Sequence, residues 1–112
     1  LTELVIQSMP IQPIYGQFVG PLSSSDVAPT EIFKDPSPSR SAIAVVNPPA
    51  ATGNLLVSVR SQEVPAKSEV TGGKYALRLG VGGRGEVTAA PECRVFVLYE
   101  SGGGTPYVEE LR

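Results

Sequence analysis

No histidine and no tryptophan occur among the 112 residues of this chain, and cysteine and methionine appear once each. The missing histidine removes the Ser-His-Asp and Cys-His nucleophile templates, the usual zinc sites and the side chain that changes charge near neutral pH. A lone cysteine, Cys93, excludes an internal disulfide. It precedes the apolar run RVFVLY, which predicts a small buried hydrophobe rather than a reactive thiol. Aspartate is scarce as well. Asp26 and Asp35 stand apart in loop-like sequence, unlike the clustered oxygens of a calcium site.

Long apolar runs are also missing: none approaches the ~18 residues a membrane-spanning helix needs. The opening LTELVIQSMP has neither the basic nor the apolar region of a signal peptide, so none is expected. Nine basic residues oppose eleven acidic ones for a net charge of −2, with no block of one sign. Nucleic-acid binders draw most of their affinity from a basic stripe, so neither nucleic acid nor membrane is an expected partner.

Glycine and proline are plentiful. Twelve glycines and eleven prolines fall between short apolar runs, which marks them as punctuation. The length suits a single domain with its own core. Helical periodicity is almost absent, and the apolar runs alternate instead. Strands are predicted at 3–7, 14–19, 30–34, 41–47, 54–60, 74–81, 85–90, 93–100 and 106–111. Gly16 within the second of these suggests a bulge. In 54–60, Leu55, Val57 and Val59 turn inward while Ser58 and Arg60 turn outward. The run 74–81 alternates most regularly, with Tyr75, Leu77, Leu79 and Val81 on one face. Short strands joined by Gly/Pro turns predict an all-β fold, a single antiparallel β-sandwich or jelly roll of about eight strands. Residues 1–13 form an extended N-terminal arm and 20–40 a loop excursion in this scheme.

The stretch GVGGRG (80–85) spells G-x-G-x-x-G, the fingerprint of dinucleotide-binding folds. That motif works only where its glycines lead into a helix whose N-terminal amides hold a pyrophosphate. Here EVTAAPECRVFV follows, a strand pattern, so Gly82, Gly83 and Gly85 are expected to form a turn or bulge with Arg84 at its tip. Glu109 and Glu110 would point to opposite faces of a strand, and a facing pair from distant strands, Glu86 with Glu100, is not indicated by spacing. Ser23, Ser24 and Ser25 have no base to activate them. No catalytic residue, metal site or cofactor is expected.

Two functional classes remain: a structural or assembly protein, and a carbohydrate- or protein-binding adhesion-like module. The first is favoured by the contrast between halves. Residues 41–100 alternate well enough to close a core, whereas residues 1–40 carry six of the eleven prolines and interrupted apolar runs. Arms and loops of that kind gain order by lying across neighbours. The candidate interface residues are Leu4, Val5 and Ile6 in the arm, with Tyr15 and Phe33 flanking the loop region. The pattern AIAVVNPPAATGNLLVSV, with KYALRLGVGG and RVFVLYE, resembles small β-sandwich or jelly-roll virion subunits: minor capsid, cement or head-fibre proteins of bacterial viruses. The resemblance lies in strand-and-loop style over about residues 41–100. It implies a non-enzymatic virion subunit whose partners are other protein subunits, in a homo-oligomer or larger shell.

Overall fold

The computed structural model describes residues 15–19, 23–33, 39–60 and 63–111, the first of these segments by its backbone. Among them are ten strands and one short helix: β1 (Tyr15–Val19), β2 (Ser24–Ser25), β3 (Thr30–Ile32), β4 (Ala42–Val46), β5 (Leu55–Arg60), α1 (Lys67–Thr71), β6 (Leu77–Leu79), β7 (Arg84–Thr88), β8 (Arg94–Tyr99), β9 (Gly103–Gly104) and β10 (Tyr107–Leu111). The predicted strand at 3–7 and the arm 1–13 lie outside the described residues.

Eight of the strands build two antiparallel sheets, ordered β1-β10-β4-β7 and β3-β8-β5-β6. Their pairing is nested: β1 with β10, β3 with β8, β4 with β7 and β5 with β6. Such nesting describes one long antiparallel hairpin, folded between β5 and β6 and rolled up. The β10–β4 and β8–β5 ladders stitch the roll shut. Of the two architectures expected, the chain is therefore the jelly roll. Between Tyr15 and Phe18 the β1 register shifts, where Gly16 suggested a bulge. Residues 20–40 carry β2 and β3 within the expected loop excursion.

Alternation explains the core. Ile43 and Val45 of β4 and Val108 of β10 meet Leu55, Val57, Leu79, Val95, Val97 and Tyr99 of the second sheet, all buried. The second sheet also buries its outer face. Leu56, Ser58, Phe96 and Leu98 are inaccessible there, and Val70 of α1 packs on Leu56 and Leu98. Ser58 is thus outward by parity but covered. The segment 63–76 that covers this face was expected to hold no helix. Five residues are too few to show a 3.6-residue period, yet the end signals are present. The Glu69 carboxylate accepts a hydrogen bond from the Ala66 amide at 2.9 Å, and Gly72 and Gly73 close the C-terminus.

The 74–81 strand is shorter than its alternation predicted. Only Leu77–Leu79 form β6, pairing with Leu55 to Val57 of β5. Tyr75 and Val81 are exposed, at 37% and 50%. After β6 the chain crosses to the other sheet through a tight turn in which the Gly83 amide donates to the Gly80 carbonyl at 2.8 Å. Gly82 takes φ of 79° there, a conformation that costs other residues. Gly85 lies within β7 opposite Val45, not in the turn, and Arg84 opens that strand rather than tipping the turn.

A buried ion pair closes the end of the roll where β3–β4, β5–β6 and β7–β8 connect. Arg40 and Glu110 have side-chain exposures of 2% and 4%, with Nη1 and Oε2 3.4 Å apart. The Arg40 guanidinium also donates to the carbonyls of Ala89 (3.1 Å), Ala90 (2.8 Å) and Cys93 (2.5 Å). It therefore joins the β7–β8 connection to β10. Cys93, expected to be buried, is half-buried because it precedes β8 rather than lying in it.

Breaking a buried pair leaves one charge uncompensated, so Arg40→Met should cost about 3–5 kcal/mol in urea unfolding. Arg40→Met/Glu110→Leu should cost less than the two single substitutions summed. Gly82→Ala should destabilise by about 1 kcal/mol in the same assay, through its backbone angle alone, because an added Cβ meets nothing within 4 Å.

Candidate interaction surface

The other end of the roll gathers four connections: 23–29, 47–54, 80–83 and 100–106. The register forces this. Val46 stands beside Tyr107 and Arg84, and Leu55 beside Tyr99 and Leu79. Asn47, fully buried, organises the end. Its Nδ2 donates to the carbonyls of Gly53 and Leu79, both at 3.1 Å. Its Oδ1 accepts from the Tyr99 hydroxyl at 2.7 Å, and its amide donates to Gly83 at 2.8 Å. Burial pushes the Tyr99 phenol above its ordinary pKa.

Further out, the connections bind one another. β2 and β9 form a two-residue ladder, Ser24 to Gly104 and Ser25 to Gly103. The Gly102 amide donates to Asp26 Oδ2 at 3.2 Å, and Thr52 Oγ1 accepts from the Gly103 amide at 2.9 Å. A Cβ on Gly104 would stand 2.5 Å from the Tyr99 hydroxyl and 2.8 Å from Ala51 Cβ, so only glycine fits. On the outer side, Arg78 Nε and Nη2 donate to Glu100 at 2.9 and 3.0 Å, and Asn54 Nδ2 donates to the same carboxylate at 3.0 Å. The Arg78 hydrogen bonds, then the one from Asn54, hold the Glu100 carboxyl below the usual carboxylate range. On this fixed frame sit three exposed apolar side chains: Val27 at 73%, Val81 at 50% and Tyr107 at 37%. Rigid backbone with apolar tips suits contact with another protein surface.

A separate open groove of about 280 Å³ lies at the opposite end, lined by Ser58, Val59, Arg60, Lys74, Tyr75 and Ala76. Its two cations share one anion, Glu69, whose Oε2 is 3.7 Å from Arg60 Nη2 and from Lys74 Nζ. The Ala66 amide hydrogen bond first, and the Arg60 and Lys74 charges after it, keep this carboxyl low. Arg60 Nη2 also lies 4.0 Å from Glu63 Oε1, so two acids offset the two cations at the rim, which does not select an anion.

The residues singled out from sequence fall as follows. Leu4, Val5 and Ile6 lie outside the described residues. Tyr15 begins β1 and pairs with Leu111 through its backbone. Phe33 is half-buried against the core with φ of 57°, and the Arg40 guanidinium lies 5.6 Å from its ring centroid. Glu86 and Glu100 are not brought together: one stands on β7 beside Arg84, the other beside Arg78 across the sandwich. Glu109 and Glu110 do face opposite ways, Glu110 inward to Arg40. The G-x-G-x-x-G run enters strand β7 rather than a helix. The roles of Asn47, Tyr99 and Arg78, and the pairing of Glu100 with Arg78, were missed, because partners 22 to 52 residues apart leave no local pattern.

No family model, curated protein or solved structure matches this chain.

A carboxyl whose folded pKa is lowered stabilises above its ordinary value of 4.5 and loses that contribution as pH falls through the folded value. The thermal midpoint should thus hold near neutrality and drop on acidification below about pH 4.5. Glu100→Gln should lower the midpoint at neutral pH and make the acid drop smaller, as followed by circular dichroism.

Proposed function

We propose that this chain is a non-enzymatic structural subunit that works by assembling with other protein subunits, as a homo-oligomer or as part of a larger shell such as a viral capsid or its decoration. The observation that carries the reading is the rigid loop end. Its polar side chains and backbone groups bind one another across the four connections, and Val27 and Val81 are left outward on ordered backbone. A surface built that way presents apolar area at low entropic cost, which favours a protein partner. The jelly-roll pairing adds support by architecture, since viral shell subunits use it, as do lectins. Localisation in a virion belongs to the same proposal.

Sedimentation velocity of the full chain, with negative-stain microscopy, tests the reading. A large symmetric assembly is the expected result. A clean monomer at every concentration would overturn it, and a monomer that retains a small sugar would favour the binding-module class. Deleting residues 1–8 should leave the circular dichroism of a folded β protein while assembly is lost. Normal assembly by the shortened chain would remove the arm from the mechanism.

A further inference from the structure

Strand β7 closes one side of the first sheet, pairing with β4 along its whole length. Which of its backbone groups remain outward follows from two hydrogen bonds. The Asn47 amide donates to Gly83 at 2.8 Å, and the Ala89 amide donates to Ser41 at 3.0 Å. In an antiparallel ladder, hydrogen-bonded pairs alternate with non-bonded ones. Gly83, Gly85, Val87 and Ala89 therefore turn their N–H and C=O groups toward β4, while Arg84, Glu86 and Thr88 turn theirs away. Among the described residues no strand pairs on that far side. All three of these residues are exposed, and their side chains share the outer face.

An open row of backbone donors and acceptors is a template for another strand. Edges are commonly protected by charge of one sign. Here the signs are opposite, Arg84 and then Glu86, 3.6 Å apart between Nη1 and Oε2. In an antiparallel pairing of two identical edges, that order is self-complementary in one register. Centring the two-fold axis on Glu86 sets like charges opposite each other. Centring it on Val87 sets Glu86 against Thr88 and leaves Arg84 without an acid. Centring it on Gly85 sets Arg84 of each copy against Glu86 of the other. This last register also joins outward backbone groups to outward backbone groups, as the ladder requires. Its central pair, Gly85 against Gly85, is a non-hydrogen-bonded position, where Cα atoms approach to about 4.5 Å. A Cβ at Gly85 would point instead at Leu77 and Leu79 in the core, so nothing obstructs the approach.

We propose that β7 is a self-pairing edge: two copies of this chain join β7 to β7 about Gly85, with reciprocal Arg84–Glu86 ion pairs, and their first sheets become one continuous sheet. This deepens the assembly reading and rests on it. A five-residue edge is a small interface, so each contact is weak and concentration-dependent.

Sedimentation velocity over a concentration series, on the full chain, provides the test. Arg84→Glu and Glu86→Arg each place like charges across the axis and should weaken association by at least about 10-fold. The exchanged variant Arg84→Glu/Glu86→Arg should recover it. Circular dichroism checks that all three fold, as exposed positions allow. Amide exchange gives a residue-level readout: on association the Arg84 and Glu86 amides gain protection, whereas those of Gly85 and Val87 are already protected. Unchanged association in both single variants would overturn the edge and leave the assembly reading standing. A wild-type chain that stays monomeric would overturn both. Loss of association that the exchanged variant does not restore would also overturn the edge.

Discussion

Strands that leave a sheet leave backbone carbonyls behind, and a rolled hairpin has two ends at which these must be satisfied away from water. Two buried polar side chains meet that demand. At one end the Arg40 guanidinium collects the carbonyls of Ala89, Ala90 and Cys93. At the other the Asn47 carboxamide collects those of Gly53 and Leu79. Each is then fixed by one partner, Glu110 for Arg40 and the Tyr99 hydroxyl for Asn47. Both are needed, because a planar donor group that is buried and half-used costs more than an apolar side chain of its size. The apolar layer between them could form in many packings, whereas donors aimed at particular carbonyls fit one register.

The strands were legible because the inner faces alternate. Leu55, Val57 and Val59, or Ile43 and Val45, repeat with the period of a pleat and nothing else in the chain competes. Alternation failed where a second layer intervened. Ser58 was read as outward, yet 63–76 folds over it and over Leu56 and Leu98 of the same face, where Val70 fills the gap. The alternation also ran past the ends of the β6 ladder at Tyr75 and Val81, since a hydrophobic pattern records side-chain facing and not where pairing stops. β2 and β9 could not be read at all. Two-residue ladders among serines and glycines exist because the loops are held together from outside.

The candidate surface was less legible than the fold, and for a physical reason. Its determinants pair across long separations: Asn47 with Tyr99, Arg78 with Glu100, Asp26 with the Gly102 amide. Residue identity announced only that polar groups stood near turns. Phe33 shows the limit well. An aromatic beside a loop looked available to a partner, but its ring is used from within, under the Arg40 guanidinium. The glycine run 80–85 was legible in kind, a backbone device, but not in detail. Its turn spans Gly80 to Gly83 and switches sheets, so Gly85 and Arg84 fall in the following strand.

How the charges are spent separates the parts that hold from the parts that can exchange. Arg94 grips Glu31 with two bonds of 2.8 Å while stacking on Phe96, and Arg78 grips Glu100 with two more. Bidentate pairs of that geometry fix the outer face of the second sheet, and releasing one would forfeit both bonds together. Arg84 and Glu86 are different. They meet through one contact of 3.6 Å with both side chains more than half exposed, the kind of surface pair that contributes little. Trading it for a partner across a two-fold axis gives up almost nothing in the single chain, while the backbone row of β7 gains hydrogen bonds that water had been supplying. An edge built this way can associate and part repeatedly without disturbing the roll behind it, because the ladder to β4 and the Arg40 and Asn47 networks are untouched by either state.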